Sequence, residues 1–307
     1  MNVQKKILPT FVNVGPGRCA TSWMHEMLNA HPEIGMAKIK ETEYFNTNIQ
    51  KGLPWYLEHF SHQKDKMAIG EISNNYYLDT TIPRKLLSLN PNIKVIFCIR
   101  KPHSLLESYF QFGLRRALNF SGTISDLQTP IGKVMGSGYQ SRKKHGKLVE
   151  SDKPTLLQSV MLSYYASHYI DHIPQNQLHF FIFEKFKKSP ENALKELYEF
   201  LEVDSSFRPM TLSTRVNEAI IPKSKLLART ASKTAFMLRK IGAYGLLSKL
   251  HQSTFIKKIV FNPANNEGSK KTIRLALDNN IEKELESEQK RIEQMLETFN
   301  NDKVSLS

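Results

Sequence analysis

Four short apolar runs, at 8–14, 67–71, 93–99 and 178–184, punctuate the chain, and between them apolar positions recur every three or four residues. The runs read as strands and the stretches between them as amphipathic helices, at 21–30, 81–89, 103–118, 155–173, 190–202 and 270–299. Strands separated by helices in this way predict an α/β fold with a mostly parallel central sheet and helices on both faces. Three helices carry start signals: Thr81 ahead of Pro83, Pro102 before 103–118, and Ser189-Pro190-Glu191 before "ENALKELYEFL". The segment 119–153, rich in Gly, Ser and Lys, reads as a long loop, and such loops in a folded domain are usually functional or mobile. No internal repeat is visible.

Length adds little to this picture: 307 residues fit one α/β domain, expected over 1–221, with a helical carboxy-terminal extension over 222–307 packed on it. No apolar run approaches the roughly 20 residues of a membrane span. The start, "MNVQKKILPTFVNVG", lacks the apolar core of a secretory signal, so a cytoplasmic location is expected. The two cysteines, Cys19 in a Gly-rich turn and Cys98 in the run "KVIFCIR", form no disulfide framework and no metal spacing.

Charge changes the picture more. The formal net charge of +14 points to an anionic partner: a nucleic acid, an anionic membrane surface or a multiply charged small molecule. Lysines and arginines concentrate in "SRKKHGK" (141–147) and between 223 and 258. The segment 234–261 mixes apolar and basic residues at helical spacing, a pattern that fits packing on the domain or peripheral contact with the inner face of a membrane.

The most specific chemistry lies in "FVNVGPGRCATSWMHEML", from Phe11. A strand, a Gly-rich turn and a helix in succession direct backbone N–H groups at an anion from a helix amino terminus, the layout of a phosphate-binding loop. The Walker pattern G-x-x-x-x-G-K-[ST] is not met: Ala20 takes the second glycine position, Thr21 the lysine position, and the basic residue comes early, at Arg18. A magnesium-dependent kinase or GTPase also wants a carboxylate at the end of a second strand, yet "KVIFCI" ends in Arg100. That cation argues against a P-loop kinase and for a second direct contact to the ligand. A basic nucleic-acid-binding protein is the third reading, motivated by the net charge and the 141–147 cluster.

These stretches, "GPGRCATSWMHEML", "HPEIGMAKIKETEYF" and "KVIFCIRKPHSLLESYF", together with "GLPWYLEHF", "GEISNNYYLDTTIPRKL" and "LQSVMLSYYASHYIDHIPQNQLHFFIFEKFKKSPENALKELYEFLEV", resemble the sulfotransferases that use 3′-phosphoadenylyl sulfate (PAPS), nearest to the bacterial and heparan-sulfate-type branch. The similarity covers most of residues 8–204. It implies a P-loop-like three-layer fold and sulfuryl transfer from PAPS, which leaves as 3′-phosphoadenosine 5′-phosphate (PAP). The acceptor would be a hydroxyl or amine of a saccharide, a glycolipid or another small molecule, with neither a metal nor a nucleic-acid partner.

By the same resemblance Gly15, Gly17, Arg18, Cys19, Ala20, Thr21, Ser22 and Trp23 bind the 5′-phosphosulfate, and Arg100 and Ser108 the 3′-phosphate. "KETEYF" supplies the catalytic base Glu41 with Lys40 beside it; Glu43 and His103 are the rivals. Lys223, Ser224 and Lys225 fall where the family often places a basic loop that closes over the nucleotide; a helix start with exposed lysines is the alternative. Tyr165 and His168 match acceptor-side positions of the N-sulfotransferases, and they equally fit one face of a core helix. Two departures stand out. Ala20 replaces a usual glycine, which brings backbone strain if that position needs a positive φ. Ile72 replaces a lysine that assists the reaction in many Golgi enzymes.

Overall fold

The computed structural model describes residues 7–116, 118, 120–135, 154–210, 212 and 274–305, with short pieces at 143–144, 147–148, 221–222, 230, 234 and 261–262. Its centre is a five-stranded parallel sheet of β1 (Phe11–Gly15), β2 (Ile34–Met36), β3 (Ala68–Ile72), β4 (Lys94–Ile99) and β5 (Leu178–Ile182), in the order β2-β3-β1-β4-β5. Every residue of β1 and β3 is buried, as is β4 from Val95 onward, which accounts for their unbroken apolar sequence. β1 sits in the middle because its neighbours pack closely on both sides. Phe11 stands opposite Gly70 of β3 and Lys94 of β4, and a Cβ on Gly70 would come within 2.3 Å of the Phe11 carbonyl.

From β1 the chain fills one side of the sheet with β2 and β3, then crosses to the other with β4 and β5. A crevice therefore opens outside the carboxyl ends of β1 and β4, where the connections diverge, the usual ligand position of an open parallel sheet. The helices packed around the sheet are α1 (Thr21–Ala30), α2 (Gly52–Glu58), α3 (Ile82–Leu89), α4 (Pro102–Arg115), α5 (Ile131–Met135), α6 (Leu162–Ile170), α7 (Phe183–Lys188), α8 (Pro190–Leu201) and α9 (Asn279–Ser305).

The four expected strands and most of the helices are present, with differences that have local causes. β2 is only three residues long, too short for a periodic signal. The helix expected over 155–173 is a 3-10 turn at Gln158–Val160 followed by α6, and 178–184 stops as a strand at Ile182 because α7 begins at Phe183 without a turn. Within the loop expected over 119–153, residues Ile124–Gln128 form a 3-10 turn, capped by Thr123 and Asp126, and Ile131–Met135 form α5. The last helix starts nine residues later than expected, at Asn279 against 270.

α9 packs on α4 and α6. Glu288, only 1% exposed, accepts hydrogen bonds from Ser163 N at 2.7 Å and Ser163 Oγ at 2.8 Å, which completes the open amino end of α6. The ring of Phe299 meets that of Phe180 edge-on at 5.0 Å. The domain boundary expected at 221/222 lies inside a two-residue strand, Ile221–Pro222, that pairs with Phe261–Asn262. Apart from Thr234 and Phe261, the basic-apolar segment 234–261 lies outside the described residues, as do Lys223, Ser224 and Lys225. Among the described residues no helix is long and apolar enough to cross a membrane.

Candidate active site

The turn after β1 is built so that only certain residues fit. Asn13, fully buried, accepts a hydrogen bond from Gly15 N at 3.0 Å through its side-chain oxygen, where the pairing with β4 slips. Gly15 has φ +95°, and a Cβ there would lie 2.1 Å from the carbonyl oxygen of Asn74, so no other residue is accommodated without moving backbone. At Gly17 an added Cβ would approach the Met135 methyl to 2.8 Å; α5 thus lies against the turn, and its flexible end could yield. Arg18 and Ala20 are both left-handed, at φ 65° and 62°. The strain anticipated at Ala20 is therefore present, at roughly 1–3 kcal/mol for each such residue.

Ala20 is the residue before α1 and provides no side-chain cap. No acidic residue stands in the first turn, so the N–H groups and positive dipole end of α1 face the crevice uncompensated by side-chain oxygens or carboxylates. Cys19 is fully buried and burial pushes its thiol well up; Cys98 is pushed up to about 12 by the same cause. Neither is a thiolate nucleophile. Trp23 packs its ring against Phe186 at 4.6 Å and Thr21 is buried, so their side chains serve the core while their backbone belongs to the helix end.

Three cations gather on this turn. Arg18 donates from Nε to Ser108 Oγ at 3.2 Å and lies 4.9 Å over the Phe112 ring. Burial, and then repulsion from Arg115 and Arg100, lower its pKa to about 10, which leaves it charged at neutral pH. Arg100, the first residue beyond β4, donates from Nη1 to the Arg18 carbonyl at 2.5 Å, and from Nε and Nη2 to Ser104 Oγ at 3.0 and 2.8 Å, with its guanidinium 4.2 Å over the Phe183 ring.

The expected pair Arg100 and Ser108 is thus brought to one crevice but linked through Arg18, and Arg100 itself pairs with Ser104. Sequence reasoning passed over Ser104. Its signal was present: serines four and eight residues after Arg100 lie on one face of α4.

The third cation joins the turn to the proposed base. Lys40 donates from Nζ to Ser22 Oγ, in the first turn of α1, at 3.0 Å, and stands 3.9 Å from Glu41 Oε1. Burial lowers its pKa, with Glu41 and Glu26 opposing that shift. Glu41 is left-handed at φ 62°, donates its N–H to the Ile72 carbonyl at 2.9 Å, and accepts from Asn74 Nδ2 at 2.6 Å while its side chain keeps 36% of its exposure. Ile72 is buried and holds Glu41 through its carbonyl.

The rival bases are placed differently. Glu43 is buried and accepts from Asn75 Nδ2 at 2.9 Å, and His103 is exposed beside Glu282 of α9 at 3.7 Å. Tyr165 is a core residue, 6% exposed, packed against Tyr77; His168 meets Tyr164 on the same helix.

A crevice with a helix amino terminus, two arginines and a lysine next to one accessible carboxylate can hold a polyanion and take up a proton beside it. Comparisons with known proteins agree with that chemistry. The sulfotransferase domain model matches residues 9–230. Among curated relatives, the bifunctional heparan sulfate N-deacetylase/N-sulfotransferase 1 of Caenorhabditis elegans is 22% identical over 209 residues, covering 66% of this chain and 23% of its own length. The human bifunctional heparan sulfate N-deacetylase/N-sulfotransferase 2 is 24% identical over 212 residues, covering 64% of this chain and 22% of its own. The chain therefore spans less than a quarter of these relatives.

A crystal structure of a sulfotransferase from Alicyclobacillus acidocaldarius superposes with a TM-score of 0.56 over 82% of this chain and 99% of that one, at 17% identity, which shows a shared fold. The domain match runs from the strand before the Gly-rich turn through α8 and so takes in the whole crevice; the chain belongs to the sulfotransferase family.

Proposed function

We propose that this protein transfers a sulfuryl group from PAPS to a hydroxyl or amine of a saccharide, glycolipid or other small acceptor, with Glu41 as general base. The observation that carries the reading is the Ser22–Lys40–Glu41 chain, which puts a carboxylate within one side chain of the helix end that would hold the 5′-phosphosulfate. The acceptor oxygen or nitrogen attacks sulfur while Glu41 takes its proton. As the bond from sulfur to the bridging oxygen breaks, charge grows on the 5′-phosphate of departing PAP. Arg18, Lys40 and the N–H groups of the turn and of α1 supply donors there, fixed before the reaction begins.

The 3′-phosphate falls to Arg100 and Ser108, with Ser104 holding the Arg100 fork in place. Lys223, Ser224 and Lys225 complete the nucleotide site in this reading, on the ground of their position in the sequence. A cytoplasmic location, with peripheral contact to the inner membrane face through 234–261, is supported by the +14 charge and by the apolar-basic spacing of that segment.

Incubating the protein with sulfur-35-labelled PAPS and a panel of saccharides and lipids identifies the acceptor. Glu41→Gln should then keep PAP affinity while lowering turnover about 10²–10⁴-fold. A variant that retained more than about a tenth of normal turnover in a chemistry-limited assay would remove Glu41 from the role.

A further inference from the structure

Glu71, the fourth residue of β3, has no solvent exposure, and the reaction outlined above makes no use of it. Four hydroxyls donate to its carboxylate: Tyr56 at 2.8 Å and Tyr76 at 3.1 Å to Oε1, Thr42 at 2.5 Å and Ser73 at 2.8 Å to Oε2. Burial raises the Glu71 pKa, and these four bonds pull it back. Burial and the neighbouring carboxylate also hold both phenols well above their usual range, so both stay protonated as donors.

Three of the four hydroxyls serve a second partner. Ser73 Oγ accepts from Glu43 N at 3.1 Å, Thr42 Oγ1 from Tyr44 N at 3.4 Å, and Tyr76 OH from Phe45 N at 3.3 Å. Three successive backbone amides of the loop after Glu41 are thus each satisfied by a hydroxyl whose own proton points at Glu71. That loop needs holding: Glu41 and Glu43 both have positive φ, a conformation that persists only where the surroundings over-determine it. One further tie, Glu41 N to the carbonyl of Ile72, is to the residue following Glu71.

We propose that Glu71 is a positioning residue for sulfuryl transfer, orienting the hydroxyls of Thr42, Ser73 and Tyr76 so that they fix the loop carrying Glu41 and Lys40. The inference rests on the reading of Glu41 as base. In Glu71→Gln an amide N–H₂ replaces one acceptor oxygen, so whichever oxygen is lost at least one loop-bound hydroxyl can no longer donate there and has to rotate, which turns the lone pair it offers away from its loop N–H and weakens that tie. Tyr56 is the internal comparison, since its hydroxyl reaches Glu71 but carries no loop amide.

The test uses the full chain, with PAP titration reporting the nucleotide site and single-turnover kinetics reporting the chemistry. Glu71→Gln should bind PAP within about threefold of the parent and lose roughly ten- to a hundredfold in turnover, the scale of a displaced catalytic group. Ser73→Ala should show the same split to a smaller extent, and more of it than Tyr56→Phe. In a Glu41→Gln background Glu71→Gln should cost less than about threefold more, because the group through which it acts is gone.

Multiplicative losses in the double variant, or equal losses for Ser73→Ala and Tyr56→Phe, overturn the proposal. If Glu71→Gln fails to fold, seen as loss of PAP binding, the Ser73→Ala and Tyr56→Phe comparison decides alone. A Glu41→Gln enzyme of normal turnover sinks the base assignment instead, and is read independently of the Glu71 variants.

Discussion

Discrimination between PAP and adenosine 5′-monophosphate should depend on Arg100. Its guanidinium has five N–H groups. The Nε bond and one of the Nη2 bonds go to Ser104, and one from Nη1 goes to the Arg18 carbonyl, which leaves one N–H on each terminal nitrogen without a partner among the described residues. Those two can meet one phosphate in a forked contact. A charged hydrogen bond is worth roughly 1.5–3 kcal/mol, so even one of the two should favour PAP over the monophosphate by about tenfold to a hundredfold. Arg100→Ala removes this contact and also the tie to the left-handed Arg18. The second loss is also a charge-assisted bond, from the guanidinium to a backbone carbonyl, but it weakens both ligands alike through the turn. Calorimetric titration of both nucleotides into both proteins separates the effects: the ratio of the two affinities should collapse toward unity in the variant. An unchanged ratio, with both ligands equally weakened, would mean that Arg100 only props up the turn.

Arg18→Ala should lower turnover by roughly 3 kcal/mol in activation free energy and change PAP affinity much less; a rise in the Michaelis constant alone would make Arg18 a simple binding contact. Gly15→Ala should cost at least about 3 kcal/mol in urea unfolding, since its methyl meets backbone at Asn74, whereas Gly17→Ala meets only the end of Met135 and should cost less; equal costs would refute this account of the turn. Burial, aided by Lys40 for His25 and by Lys38 for His59, depresses both histidines from 6.5 to about 4. Between those pH values the unfolded chain binds protons that the folded one refuses, so stability should fall on acidification by about 1.4 kcal/mol per pH unit for each histidine. His59→Gln should reduce that slope by about half, and a urea midpoint unchanged between about pH 7 and 5 would contradict the sign.

The sequence made the sheet and the glycine-rich turn at its carboxyl end legible because both depend on local pattern. Continuous apolar runs mark strands buried on two faces, and a glycine-rich turn leading into a helix marks where an anion is received. What stayed hidden depends on residues distant in the chain. The Glu71 cluster draws hydroxyls from positions 42, 56, 73 and 76, each of them unremarkable in its own segment, and it is the pairing of β2 with β3 that carries "GEISNN" to the loop after Glu41. The spacing of Arg100 and Ser108 could not reveal that Arg18 would come between them, bonded to both. Tyr165 fitted either an acceptor-side position or one face of a core helix by sequence alone, and only the packing shows its side chain in the core against Tyr77.

The uncapped start of α1 has a practical meaning for handling this protein. A good amino-terminal cap contributes about 1 kcal/mol to a helix, and Ala20, left-handed and without an oxygen, supplies none of it. On the proposed reading, the helix is completed from outside, by an anion on its first turn. Purification buffers are then not neutral bystanders: sulfate or phosphate would raise the melting temperature with a logarithmic dependence on concentration and would compete with the donor for the same N–H groups. If the nucleotide binds there as proposed, a polar cap installed at position 20 to harden the fold would fill its place, so thermal robustness and donor affinity at this one residue should pull in opposite directions.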